Sequence, residues 1–577
     1  MKIRSFFTAA AVILSICGCD TRPNEVSTTV SDGVLSENSE LSSQDILNET
    51  EVFSNECSIT LGSTISINGS GAWIDDNCII INESGVYTIT GKMSDGMIFV
   101  DTEETVRLVL DNAEITNKSG AVIVAECGKL FITAADSTEN FITDGKEYTF
   151  AREFENEEVL RAAIYSEGEI LFKGGTGKIS INARYKDAVH GENVSVYGCM
   201  LDIEADKAGI TADKSITTVD CNIDIVSEGD CVKTENEGAV TLQNSSIALE
   251  TEKDGIQSAD RLSIEGGNIS IITKGDILAD SELSSKGIKA LKMKITDSII
   301  NVNSTDHSIK CGGEAEITGG KLTLSSSAGK GITADGALTI NADIDVTQSE
   351  EAIESKSVLT VNGGNINVVS TDDGLNTGGD DFSADHTMNI NGGAVIVNAG
   401  GDGLDANGDI NVTGGTVVVF GPDSNANSSL DSGEFGYSIK VSGGKVLAMG
   451  SMGMMSTPDG ECISSTAFSA EKDAEITVKD SVGNAIVTVA APKAVKGLIF
   501  CGENAENCKI YVDGTEVQTQ AGFNGGFGGR GGKGDKRQNP GERPELPDGA
   551  MPEMIGERPE MPEGGFGMMP PEVGENE

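Results

Sequence analysis

A small residue followed by an apolar one returns about every 22 residues through the middle of this chain, and few folds accommodate that spacing. The apolar member is Val189 in "KDAVH", Ile210 in "KAGIT", Val232 in "GDCVK", Ile256 in "KDGIQ", Ile288 in "SKGIK", Ile309 in "DHSIK", Ile332 in "GKGIT", Ile353 in "EEAIE", Leu375 in "DDGLN" and Leu404 in "GDGLD". Successive separations are 21, 22, 24, 32, 21, 23, 21, 22 and 29 residues. The two long ones hold insertions around "KGDILADSELSS" and "TGGDDFSADHT". A second landmark is a Gly-Gly turn running into alternating apolar residues, as in "IEGGNISII", "ITGGKLTLS", "VNGGNINVV" and "VTGGTVVVF". A unit this short cannot bury its own apolar face, so units must stack. Short strands, Gly-rich turns and no helical period make the expected fold all-β, a parallel β-helix of about 22 residues per rung. Like residues then form ladders about 4.8 Å apart along the axis.

Fainter copies in "DGMIFVD", "SGAVIVA" and "AAIYSEG" carry the pattern back toward residue 60, for about a dozen rungs. We assign residues 56–436 to the solenoid and 437–520 to terminal rungs and a β cap. Residues 521–577 are rich in Gly, Pro, Met and Glu without period, which suits a disordered tail. At the other end Lys2 and Arg4 precede "FFTAAAVILSI", too short to span a bilayer. The run closes in "SICGCD", which resembles a bacterial lipobox with Cys19 as the lipidated residue; a plain secretory signal is the alternative. Residues 1–19 are therefore read as a lipoprotein signal peptide and 20–55 as a flexible linker. The expected location is extracellular, lipid-anchored to the cell membrane.

Asp and Glu number 91 against 41 Lys and Arg, a formal charge of −50. That balance repels nucleic acid and anionic membrane surfaces, leaving solubility or cation loading as its purpose. Twelve Cys in 577 residues make no disulfide framework and none has zinc spacing. Cys199 and Cys221 occupy like contexts and are placed to stack, and Cys501 with Cys508 or Cys57 with Cys78 are possible pairs. A monomer is expected.

Stacking converts spacing into two polar columns. One residue after the anchor come His190, Thr211, Lys233, Gln257, Lys289, Lys310, Thr333, Glu354, Asn376 and Asp405, expected to face out of the coil. Two residues before it come Asp187, Ala208, Asp230, Asp254, Lys286, His307, Lys330, Glu351, Asp373 and Asp402. The last three rungs thus gather Glu351, Glu354, Asp373, Asn376, Asp402 and Asp405, with Asp372, Asn407, Asp409, Asp380 and Asp381 nearby. Like charges one rung apart repel by about 3 kcal/mol at an effective dielectric near 20. A divalent cation, raised pKa values or splaying into water must relieve that. Oxygen donors without Cys or paired His select Ca²⁺. The segment "GGDGLDANGDINVTGG" itself fits neither a calcium nonapeptide nor an EF-hand loop. Just before this patch the columns turn basic with Lys286, Lys289, His307, Lys310 and Lys330, which either balance the carboxylates or meet a polyanion.

The lipobox-like start, the 22-residue "DGI" rungs and the segment "DDGLN" to "GGDGLDANGDINVTGG" resemble a bacterial family of extracellular carbohydrate-binding β-helix proteins. The resemblance spans roughly 55 to 515 and implies a right-handed, pectate-lyase-like parallel β-helix carrying Ca²⁺. It further implies binding of cellulose and acidic sugars such as polygalacturonate, with Asp372, Asp373, Asp402 and Asp405 as metal ligands. Three functions remain in view. One is Ca²⁺-dependent binding of plant-wall polysaccharide, with Lys286, Lys289, His307, Lys310 and Lys330 as sugar contacts. Another is a polysaccharide lyase with Lys330 or Lys310 as base. The third is a surface adhesin using the solenoid as a spacer.

Overall fold

The computed structural model describes residues 53, 55–149, 161–276, 284–379, 384–433, 436–452 and 454–522. Cys19, the leader, the linker up to residue 52, Asp380, Asp381 and the tail from residue 523 lie outside the described residues.

Strands alternate inward apolar with outward polar residues, as in Asn365–Ser370, where Ile366, Val368 and Ser370 point into the coil. The chain winds into a parallel β-solenoid of about 15 turns with ~23 residues per turn. Each turn contributes to three parallel stacks. The turn holding Ile353–Ser355 continues through Leu359–Gly363 and Asn365–Ser370 before the next begins at Leu375–Thr377.

The ten sequence anchors fall in register on one stack. Val189 pairs with Ile210, Ile210 with Val232, Val232 with Ile256, Ile256 with Ile288 and Ile288 with Ile309. The ladder continues through Ile332, Ile353, Leu375, Leu404 and then Leu430. All are buried, Leu375 and Leu404 completely. Full burial of such a side chain stabilises by roughly 1.5–3 kcal/mol, and the stack repeats it in every coil.

The small residue before each anchor has a steric cause. A Cβ on Gly374 would lie 2.2 Å from Val397 Cγ1 and 2.5 Å from the Gly403 carbonyl; on Gly403 it would meet Val419 Cγ1 at 2.2 Å. The chain bends here against the branched side chains of the third stack.

Both ends of the coil are closed by antiparallel pairing, which removes parallel edges open to further addition. Glu56–Leu61 pairs with Ser66–Asn68 and Ala72–Asp75 with Cys78–Ile81. At the far end the outward residues of the third stack change from Asn367 to Ile396, Val418 and Leu447. Their apolar faces are covered by Ile463, Phe468, Val495, Leu498 and Phe500, with Ile476 and Val478 of a four-stranded antiparallel sheet. The cap therefore packs against the side of the last coils, where outward residues turn apolar.

Cysteine pairing differs from expectation. The disulfide joins Cys462 to Cys501, directly opposite each other on antiparallel strands. Cys508 is buried without a disulfide, and so is Cys57, so neither the Cys501–Cys508 nor the Cys57–Cys78 pair forms. Cys508 sits after a short 3-10 turn at Ala505–Asn507, whereas strand register delivers Cys462 to Cys501. Cys199 and Cys221 do occupy equivalent places in successive coils, each one residue before the paired Met200 and Asn222.

Candidate functional site

The outward column beside the anchors runs nearly the length of the solenoid. Its first members, Ile80, Phe99, Val124 and Tyr165, are apolar and pack beneath Tyr148. It then becomes polar, in the register expected: His190, Thr211, Lys233, Gln257, Lys289, Lys310, Thr333, Glu354, Asn376 and Asp405. The structure adds Asp431 next to Asp405, on a rung whose anchor Leu430 comes 26 residues after Leu404, outside the usual spacing. Its signal was the small residue Ser429 before the apolar Leu430.

Several members of the neighbouring column have a structural task. Each uses one carboxylate oxygen to accept the backbone N–H of its counterpart in the next coil. Asp187 accepts from Ala208 at 3.1 Å, Asp230 from Asp254 at 3.1 Å, Asp254 from Lys286 at 2.8 Å and Asp373 from Asp402 at 2.7 Å. Asp402 likewise accepts from Ser428. His307 substitutes a ring nitrogen, accepting from Lys330 N at 3.2 Å. These links staple successive coils, and they occupy one oxygen each of Asp373 and Asp402.

The basic residues are paired internally. Lys286 bonds Asp306, Lys289 lies 3.7 Å from Asp254 and Lys310 lies 2.7 Å from Asp335. The His307 backbone N–H donates to Asp306 Oδ1 at 2.7 Å. Lys330 sits between two carboxylates, 3.0 Å from Glu351 and 2.8 Å from Glu354. Each of these basic residues thus has an acidic neighbour within the coil. Burial favours the neutral amine of Lys330, but hydrogen bonds and charge from Glu354 and Glu351 outweigh it and raise its pKa. An ammonium held that firmly is a poor general base.

Downstream of Lys330 the carboxylates crowd together. Glu351, Asp372 and Asp373 each bring an oxygen within 4.8 Å of the others. Burial, with the charges of Asp372, Asp402 and Glu351, pushes Asp373 up to about 7. Burial, then Asp373, Asp402, Asp431 and Glu351, pushes Asp405 up to about 8. Burial also raises Glu351 and Asp402. Glu354 goes the other way, its burial outweighed by bonds from Lys330 and Thr333. Asn407 donates to the Gly379 carbonyl at 2.9 Å, and Asp409 takes Lys440 at 2.9 Å and the Ser438 amide at 2.8 Å. Among the expected ligands the structure thus brings together Glu351, Asp372 and Asp373 with Asp402, Asp405 and Asn376 beside them. Glu354 is turned to Lys330 and Asp409 to Lys440.

Two further details fit a hard cation. Asn376 Oδ1 is buried with no hydrogen-bond partner among the described residues. Gly401 lets the chain pass where a Cβ would stand 2.4 Å from Asp372 Oδ1 and 2.5 Å from Asp373 Oδ1. The donors are all oxygens, with no Cys or His among them, which suits Ca²⁺.

A family model described as a carbohydrate-binding domain-containing protein matches residues 75–331 and 322–485. A curated protein of the same description from Acetivibrio thermocellus is 29% identical over 198 residues, or 33% of this chain and 62% of that one. The match thus spans somewhat under two thirds of that relative's length. A solved structure titled as the polysaccharide lyase-like protein from C. thermocellum, gadolinium derivative, is 26% identical. The alignment covers 43% of this chain and 97% of that chain, with a TM-score of 0.37.

Proposed function

The chain belongs to the carbohydrate-binding domain-containing protein family, and from that premise we propose that it binds acidic plant-wall polysaccharide with a Ca²⁺ ion as the bridge. The observation that carries this reading is the cluster of Glu351, Asp372 and Asp373, backed by Asp402 and Asp405, whose mutual repulsion Lys330 offsets only at Glu351, while Asp373 and Asp405 stay raised. A bound Ca²⁺ supplies a Lewis-acidic centre for sugar carboxylates. The residues here fix that ion and the charge around it, while Lys289 and Lys310 stand on successive coils a few rungs away. Binding fits better than elimination, because Lys330 is held protonated and Lys310 is bonded to Asp335.

Replacing Asp402→Asn together with Asp405→Asn tests this. The double variant is expected to lose at least tenfold in calcium affinity and in retention on immobilised polygalacturonate. Unchanged retention would mean that the glycan does not depend on this cluster.

The same proposal has the protein held at the outer cell surface through lipidated Cys19, on the sequence "SICGCD". A Cys19→Ser chain should then be shed into the medium; one that stays with the membrane fraction removes the anchor from the proposal.

A further inference from the structure

Lys330 lies at the seam between the basic coils and the acidic ones. Its ammonium reaches forward to Glu351 Oε2 at 3.0 Å and to Glu354 Oε2 at 2.8 Å. Asn376 Nδ2 donates to the same Glu351 Oε2 at 3.3 Å. Both donors converge on one oxygen of Glu351; the other makes no hydrogen bond among the described residues and belongs to a carboxylate that converges with Asp372 and Asp373. Glu351 is therefore shared between the lysine and the acidic cluster.

We infer that Lys330 is a tethered counter-ion that sets the affinity of the acidic cluster for its divalent cation. It is a positioning and tuning residue in the layer behind the ligands, not a ligand and not a base. This inference rests on the function proposed above and adds what regulates that site. The reasoning is electrostatic. A fixed positive charge bonded to a ligand carboxylate offsets negative charge at the site and repels an incoming cation. The side chain is 19% exposed, with Glu351 15% and Glu354 11%, so solvent screens these charges only partly. Removing the ammonium alone leaves the carboxylates oriented. Asn376 still donates to Glu351, and Thr333 Oγ1 still donates to Glu354 Oε2 at 2.7 Å.

The opposite expectation also has a physical basis. If Lys330 mainly holds Glu351 in place, its loss would weaken cation binding, because a misplaced ligand costs more than a removed repulsion gains. The sign of the change decides between the two.

The experiment is a calcium titration, without glycan, of the full chain and of Lys330→Met and Lys330→Arg, each checked for folding by thermal unfolding. Lys330→Met keeps the length of the side chain and removes its charge. It is expected to bind Ca²⁺ about tenfold more tightly than the parent and to gain a larger calcium-induced rise in Tm. Lys330→Arg, which keeps the charge, should stay within about threefold of the parent. Unchanged or weaker binding by folded Lys330→Met overturns this inference while leaving the proposed function standing. If the parent itself takes up no Ca²⁺, the function proposed above fails and takes this inference with it.

Discussion

In chelator, thermal stability should fall as the pH is raised from about 5 to about 8, and saturating Ca²⁺ should remove most of that fall. Burial and neighbouring carboxylates push Asp405 up to about 8 and Asp373 up to about 7 in the folded chain, against an ordinary value of 3.8. A carboxyl whose folded pKa is raised binds its proton more tightly when folded. The folded state therefore carries more protons than the unfolded one between the two values, and stability declines with rising pH across that window. The decline is at most about 1.4 kcal/mol per pH unit for each such group. Carboxylates shifted the other way, Asp306, Asp335, Glu354 and Asp409, contribute stability that is lost only at lower pH. Their contribution is complete above the ordinary carboxylate range and does not oppose the trend. Asp405→Asn removes the largest contributor, so its Tm in chelator should vary less with pH and exceed the parent's at the alkaline end. A flat or rising parent profile in chelator would show that the cluster is relieved by water, not by a cation.

The second large effect lies in the coil itself. Gly374→Val should destabilise the protein by about 3 kcal/mol and weaken calcium uptake with it. Its Cβ would fall 2.2 Å from Val397 Cγ1 and 2.5 Å from the Gly403 carbonyl, both inside a packed solenoid wall. Relief requires the turn to shift, and that turn carries Asp372, Asp373 and Asn376. Coils contact only their neighbours, so the damage should centre on the last coils and spare the first. Denaturant unfolding together with hydrogen exchange checks both points. A variant within about 0.5 kcal/mol of its parent would mean that the wall yields easily and that the recurring glycine has another cause.

The solenoid was legible because its anchors recur at a fixed distance and burial demands stacking. The ladder from Val189 to Leu404 could be written from the sequence and holds residue by residue. Register carried over to Lys289 over Lys310 and Asn376 over Asp405. What the columns hid was who pairs with whom off the column. Asp306 and Asp335 sit outside both rows, yet they neutralise Lys286 and Lys310, so the basic patch read from the rows is matched by acids the rows omit. The amide links of Asp373 and Asp402 were also unreadable, since an acid bonded to the next coil and an acid bonded to a metal recur with the same period. The cap obeys antiparallel pairing with no period, so the Cys462–Cys501 link had no sequence signature.

The most direct test of the cation at this cluster is a calorimetric titration of Ca²⁺ into the chelator-treated parent chain at about pH 7. The account predicts saturable uptake accompanied by proton release, because Asp373 and Asp405 are partly protonated there and must ionise to hold the ion. Absence of saturable uptake would contradict it, as would uptake that persists without proton release in Asp402→Asn with Asp405→Asn.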